Sequence, residues 1–269
     1  MTDYAAALRV RQAAYRDRYL APAPDAAPRA AESSQALSPA EYRLNILPGI
    51  RERFWQWFES ADPRPALHPD FARLDSVQAL TFNLFFPLLV GDVADPRLIE
   101  ALGIIVGVPF RGRFDVIPDA VAQTRFDFCL ESGSGQTIVF DVKLAVDGFE
   151  ACHDEAAAER LLRECVPVLQ PHVDPKWLAP DAAAAHAEIL RHLTHLGQDE
   201  ASGLVFILPK ANTRLTGHDE TIKRIVSKNF APRVAILYLE YLVERLISAC
   251  AEDAELLRHY LELREKYMC

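Results

Sequence analysis

The pattern of apolar and polar positions reads as helices through the first hundred or so residues, changes to strands, and then alternates helix with strand. Residues 1–20 alternate charge with small side chains and suit a surface helix, and the stretch APAPDAAPRAAESSQ that follows has a linker's composition. The body begins near Ser38, where Ser38, Pro39 and Glu41 combine a hydroxyl cap, a proline and a carboxylate three residues on, so a helix is expected there. Pro48-Gly49 breaks or kinks it before Phe54, Trp55, Trp57 and Phe58. The segment LDSVQALTFNLFFPLL, capped by Ser76, is apolar on nearly every side and is therefore a buried helix. A further helix starts at Asp95-Pro96 and is ended by Gly107 and Pro109.

Strand character begins at FDVI (114–117) and continues in TRFDFCL (124–130) and TIVFDVKLA (137–145), all rich in β-branched and aromatic residues. The last two flank the polar turn ESGSGQ, which predicts a hairpin. Helices at about 153–166 and 181–196, a strand LVFILP, a basic helix near 218–228, an apolar run VAILYL and acidic C-terminal helices complete the chain. This order predicts an α/β fold: a mixed β-sheet flanked by helices, with extra helices at both ends.

Three charges interrupt the apolar hairpin. Asp127 lies inside RFDFCL, and Asp141 and Lys143 lie inside IVFDVKLA. Residues two apart in a strand share a face, so Asp141 and Lys143 are neighbours, and pairing about the turn brings Asp127 to the adjacent strand. Carboxylate oxygens hold Mg²⁺, which keeps open positions for water and phosphate, and a lysine beside the ion orients water or stabilises developing charge. The competing explanation is a solvated cross-strand ion-pair row, since D-x-K arises often by chance.

The formal net charge of -9 opposes a chain coated in positive charge. Locally the balance reverses: between Lys210 and Arg233 there are six basic residues, Lys210, Arg214, Lys223, Arg224, Lys228 and Arg233, against Asp219 and Glu220. The five cysteines have no paired spacing, so reduced thiols are expected. The N-terminus has no uninterrupted apolar stretch of secretory type, and the longest apolar run, Leu84 to Val90, is too short for a membrane span; the expectation is a soluble, cytoplasmic protein. His186, His192 and His195 share one expected helix, where an exposed helix face explains them better than zinc.

With these residues in view, the chain resembles the PD-(D/E)XK nuclease superfamily, Asp127 on the second strand and Asp141-Val142-Lys143 on the third matching its D and D/E-x-K elements. Upstream, DSVQALTFNLFFPLL is similar to a helix of bacterial proteins described as restriction endonucleases, and LVFILPKAN is similar to a later strand and loop of that group. The resemblance spans roughly residues 40–245 and implies a restriction-endonuclease-like core in a domain 38–269, preceded by a helix and linker in 1–37. It further implies a Mg²⁺-dependent endodeoxyribonuclease, with Mn²⁺ able to substitute, acting on DNA in restriction or defence. Asp127 and Asp141 would hold the metal, Lys143 would be the catalytic lysine, and Gln78 and Asn83 match polar positions of the upstream helix, with Gln78 counted among the catalytic residues and hydrogen bonding inside the core as the alternative. Lys210, Arg214, Lys223, Arg224 and Lys228 would contact nucleic acid, and a homodimer would suit double-strand cleavage. Two departures stand out: Phe126 replaces the proline before Asp127, and Gln78 stands where many members carry glutamate, leaving Glu100 as a further acid to consider. The alternative reading is a catalytically inactive nuclease fold serving as a nucleic-acid-binding or interaction module.

Overall fold

The computed structural model describes residues 3–20, 35–62, 64–104, 108–117, 124–226 and 230–269. It divides into a first unit of Met1–Gly107, Pro209–Asn212 and Tyr238–Cys269, and a second of Val108–Leu208 and Thr213–Leu237. Most of the expected linker, residues 21–34, lies outside the described residues.

In the first unit, α1 (Tyr4–Tyr19) is capped by Asp3, whose carboxylate accepts from Ala5 N. The helix expected from Ser38 does not form there. Ser38 Oγ does reach Glu41 Oε2 at 2.8 Å, but only a 3₁₀ turn, Tyr42–Asn45, follows. The α-helix begins at Pro48, as α2 (Pro48–Ser60), because a proline lacks the N–H that a helix interior needs and the first helical position does not. Phe54 of α2 packs at 4.7 Å against Phe82 of α3 (Val77–Phe85), which Ser76 caps as expected by accepting from Ala79 N. Every residue of α3 from Gln78 to Phe85 is buried. A short ribbon of β1 (Leu89–Val90) and β2 (Val93–Ala94) precedes α4 (Pro96–Leu102). That helix stops earlier than expected, at Gly103, whose φ of 73° satisfies the carbonyls of the last turn in a left-handed conformation.

The second unit is an α/β layer structure. Its strands β3 (Phe110–Val116), β4 (Phe126–Ser132), β5 (Thr137–Val142), β6 (Ser202–Leu208) and β7 (Val234–Tyr238) lie side by side in that order. Antiparallel β3, β4 and β5 meet parallel β6, so the sheet is mixed. The β4–β5 hairpin closes at Ser132–Gln136, with Gly135 at φ 87° where a side chain would be strained. Parallel pairing of β5 with β6 requires a long crossover. α5 (Glu155–Leu169), α6 (Pro180–Ala185) and α7 (Ala187–Gln198) supply it. Val139, Leu204 and Phe206 from the sheet share a core with Leu161 of α5 and Leu190 and Leu193 of α7. On the opposite face Phe114, Phe128 and Phe140 form a ring ladder, 5.0 and 5.6 Å between centroids. After β6 come α8 (Thr213–Thr216) and α9 (Asp219–Ile225).

Two helices, α10 (Leu239–Ala249) and α11 (Ala254–Tyr267), belong to the first unit. Arg11 and Tyr15 of α1 bond to α11 through Glu265 O (2.6 Å) and Glu262 Oε1 (2.6 Å). All five cysteines are free thiols. Among the described residues no helix is long and apolar enough to cross a membrane.

Candidate active site

The register of the hairpin decides where its charges meet. The β4–β5 register runs from Glu131 opposite Thr137 to Phe128 opposite Phe140, and Asp127 follows directly on β4. Asp141 is two residues on from Val139 and paired with Phe206, both in the core shared with α7, so its carboxylate points to the side that packs against that helix. Asp127 Oδ2 accepts a 2.7 Å bond from Val142 N, which ties the first carboxylate to the strand carrying the second. Lys143 N donates to Ile207 O at 2.9 Å, extending the β5–β6 pairing by one residue and holding the lysine at the end of the strand.

Asp141 is buried, at 4% exposure. Its Oδ1 accepts from Lys143 Nζ at 2.9 Å, while Oδ2 is sealed from solvent with no hydrogen-bond partner among the described residues. Such an atom costs free energy unless something else satisfies it.

The ammonium of Lys143 also donates to Glu188 Oε1 at 2.5 Å. Glu188 lies in the first turn of α7 and is clamped there: its backbone N donates to Glu150 O at 3.2 Å, and its Oε2 accepts from Glu150 N at 2.6 Å. Burial by itself would push the lysine's pKa down, but the charges of Asp141 and Glu188, the bond to Glu188 and the more distant Asp127 outweigh it and hold the pKa above its ordinary value. Lys143 is therefore a fixed cation and hydrogen-bond donor at neutral pH, and not a base.

One helical turn beyond Glu188, at the i+4 spacing that puts both on one helix face, stands His192. It is 3% exposed, its ring held 5.0 Å from Phe126 and 5.8 Å from Phe206. Burial depresses its pKa, outweighing the opposing charge of Asp141, so the ring is neutral and able to donate a lone pair. Asp141, Glu188 and His192 each place one ligand atom within 4.8 Å of the other two. Three such donors, one of them beside an orphaned buried oxygen, fit a divalent cation.

The exposed-helix explanation of the histidines is thus corrected for His192 and His195, both buried, because α7 is amphipathic and turns these positions toward the sheet with Leu193 and Leu196. Glu188 went unnoticed in the sequence. The available signal was its four-residue step to His192, which places the two on one helix face.

Other expected site residues fall elsewhere. Gln78, in the first unit, uses both ends of its amide locally, donating to Ala66 O at 2.7 Å and accepting from His68 N at 2.9 Å. Asn83 likewise accepts from Leu47 N and donates to Asn45 O. Glu100 is exposed on α4. Of the basic residues, Lys210 contacts Tyr241 in the first unit, Arg214 pairs with Asp147 at 2.6 Å and Lys223 with Glu220 at 2.8 Å. Arg224 is exposed on α9, and Lys228 lies outside the described residues.

A family model described as Restriction Endonuclease associating with ARP matches residues 9–268. The chain belongs to this family. Comparison with curated proteins and with solved structures yields no match. The match covers nearly the whole chain, so the hairpin, α7, α10 and α11 all fall within the family's extent. Membership of a restriction-endonuclease family agrees with a mixed sheet that gathers acids and a lysine at one place.

Proposed function

We propose that this protein is a divalent-metal-dependent endodeoxyribonuclease of the PD-(D/E)XK type, acting in restriction or a related defence role. The observation that carries the reading is the position of Lys143, held between Asp141 and Glu188 with Asp127 on the adjacent strand. Membership of a restriction-endonuclease family supports it.

A phosphodiester is an anion, and carboxylates alone would repel it. A divalent ion, when bound, supplies a Lewis acid for the phosphate and a lower pKa for water. Asp141 and Glu188 would hold that ion, and Asp127 would add negative charge from across the hairpin. Lys143, kept protonated by these same carboxylates, donates hydrogen bonds and positive charge to the oxygen on which charge develops. Arg214, Lys223 and Arg224 of the second unit would supply cations for the phosphate backbone. The ion pairs of Arg214 and Lys223 are exposed, so exchanging a carboxylate for a phosphate there costs little.

The test is cleavage of plasmid and linear DNA by the full chain in Mg²⁺ or Mn²⁺, with Asp141→Ala and Lys143→Ala beside the wild type. Cleavage by the wild type alone is expected. Equal cleavage by all three proteins, or none by any of them with either ion, overturns the assignment.

A further inference from the structure

The nuclease reading explains two strand acids and a lysine, but not the buried imidazole that α7 sets beside them. His192 is almost completely buried between Phe126 and Phe206, and one of its ring nitrogens lies within 4.8 Å of donor oxygens from both Asp141 and Glu188. A histidine needed only to fill this core would be replaceable by leucine or phenylalanine, which bury no polar atoms. Here its Nδ1 has no hydrogen-bond partner among the described residues, and neither has Asp141 Oδ2.

Resting on the reading of this site as a metal site, we propose that His192 and Glu188 of α7 join Asp141 as ligands of one divalent ion, and that this site takes a first-row transition-metal ion in preference to Mg²⁺.

Charge and donor type both favour this ion. Asp127, Asp141 and Glu188 set three carboxylates against the single ammonium of Lys143, which leaves two negative charges for a divalent cation to offset. An imidazole donor separates the candidates. Mg²⁺ demands near-ideal octahedral oxygen coordination and keeps several waters, whereas first-row transition ions bind imidazole nitrogen well. Asp141 has Oδ2 to give while Oδ1 stays on the lysine, and Glu188 keeps lone-pair capacity beyond its bonds to Lys143 and Glu150. The supporting contacts fix the geometry: the aromatic rings hold the imidazole, and the reciprocal bonds between Glu150 and Glu188 hold the carboxylate.

Mn²⁺ is the probe, because it is paramagnetic and accepts both nitrogen and oxygen donors. The full chain, stripped of metal, is titrated with Mn²⁺ by electron paramagnetic resonance, then challenged with Mg²⁺, and the bound ion is examined by pulsed methods for ¹⁴N coupling. Expected are one tightly bound Mn²⁺ with imidazole coupling, and a large excess of Mg²⁺ needed to displace it. His192→Gln should abolish the coupling and weaken Mn²⁺ by about tenfold or more, with Mg²⁺ binding nearly unchanged. His195→Gln should leave the coupling intact, and circular dichroism establishes that both variants are folded. The wild-type coupling needs no substitution, and if His192→Gln does not fold, isotopic ¹⁵N-histidine labelling still shows whether an imidazole is bound.

Bound Mn²⁺ without nitrogen coupling, coupling that survives His192→Gln, or equal affinity for Mg²⁺ and Mn²⁺ would each overturn the proposal and leave the nuclease reading standing. No ion bound by the wild type overturns both. Nitrogen-coupled Mn²⁺ in a protein that cleaves no DNA supports the site while removing the nuclease reading.

Discussion

Lys143 Nζ lies 2.5 Å from Oε1 of Glu188, forty-five residues further along the chain. This contact joins the end of β5 to the first turn of α7. It makes the helix part of the site, and the consequences can be measured.

Glu188→Gln keeps the shape of the side chain and an oxygen for Lys143, but removes one negative charge. DNA cleavage is expected to fall by roughly tenfold or more, as for loss of a group supporting a metal site. The urea midpoint should move little, since Asp141 remains paired with the ammonium and one of two carboxylates bonded to it loses its charge. Unchanged cleavage would show that α7 has no part in the chemistry.

Lys143→Met leaves Asp141 and Glu188 partly buried without their cation, and breaking such a pair costs roughly 3 kcal/mol. The loss should be largest in EDTA and should shrink when a divalent ion is added, because the ion replaces the missing positive charge. Thermal melts with and without Mn²⁺ read this directly. A deficit that does not respond to metal would mean that the carboxylates are not ligands.

Gly197 of α7 packs closely on Val168 of α5. A Cβ added there would lie 2.4 Å from Val168 Cγ1 and 3.3 Å from the Val168 carbonyl oxygen, and valine's branched side chain has little room to turn aside. Gly197→Ala is expected to destabilise by about 1–3 kcal/mol despite alanine's higher helix propensity. Chemical denaturation showing a gain in stability would contradict the close packing.

Stability should also carry a pH signature from Lys266. This ammonium, fully buried, bonds Asn45 O at 2.9 Å and Asn45 Oδ1 at 2.6 Å. Burial, with a smaller contribution from Arg51, brings its pKa down to about 7. In the unfolded chain it titrates near 10.4, so between pH 7 and 9 the unfolded state binds more protons and stability rises with pH, by up to about 1.4 kcal/mol per pH unit. Lys266→Met should flatten that slope. A wild-type stability that falls over the same interval would refute the assignment.

The sequence by itself determined the local elements that rest on short-range physics. Ser76 and Asp95 cap their helices, the ESGSGQ turn closes the hairpin, and the strands flanking it are recognisable from β-branched and aromatic residues. The hairpin also made Asp127, Asp141 and Lys143 legible as a group, because strand period and turn length set which side chains are neighbours. Ser38 shows the limit of local signals: its contact with Glu41 forms, yet the α-helix waits for Pro48. Only the tertiary structure decided what stands across from the hairpin. Glu188 and His192 come from a helix whose rotation is set by packing leucines against the sheet, a long-range result that their four-residue spacing alone does not reveal. Likewise Gln78, expected as a polar site position, was legible as a residue type, but its amide partners, Ala66 and His68, are fixed by how the segment before α3 folds back on it.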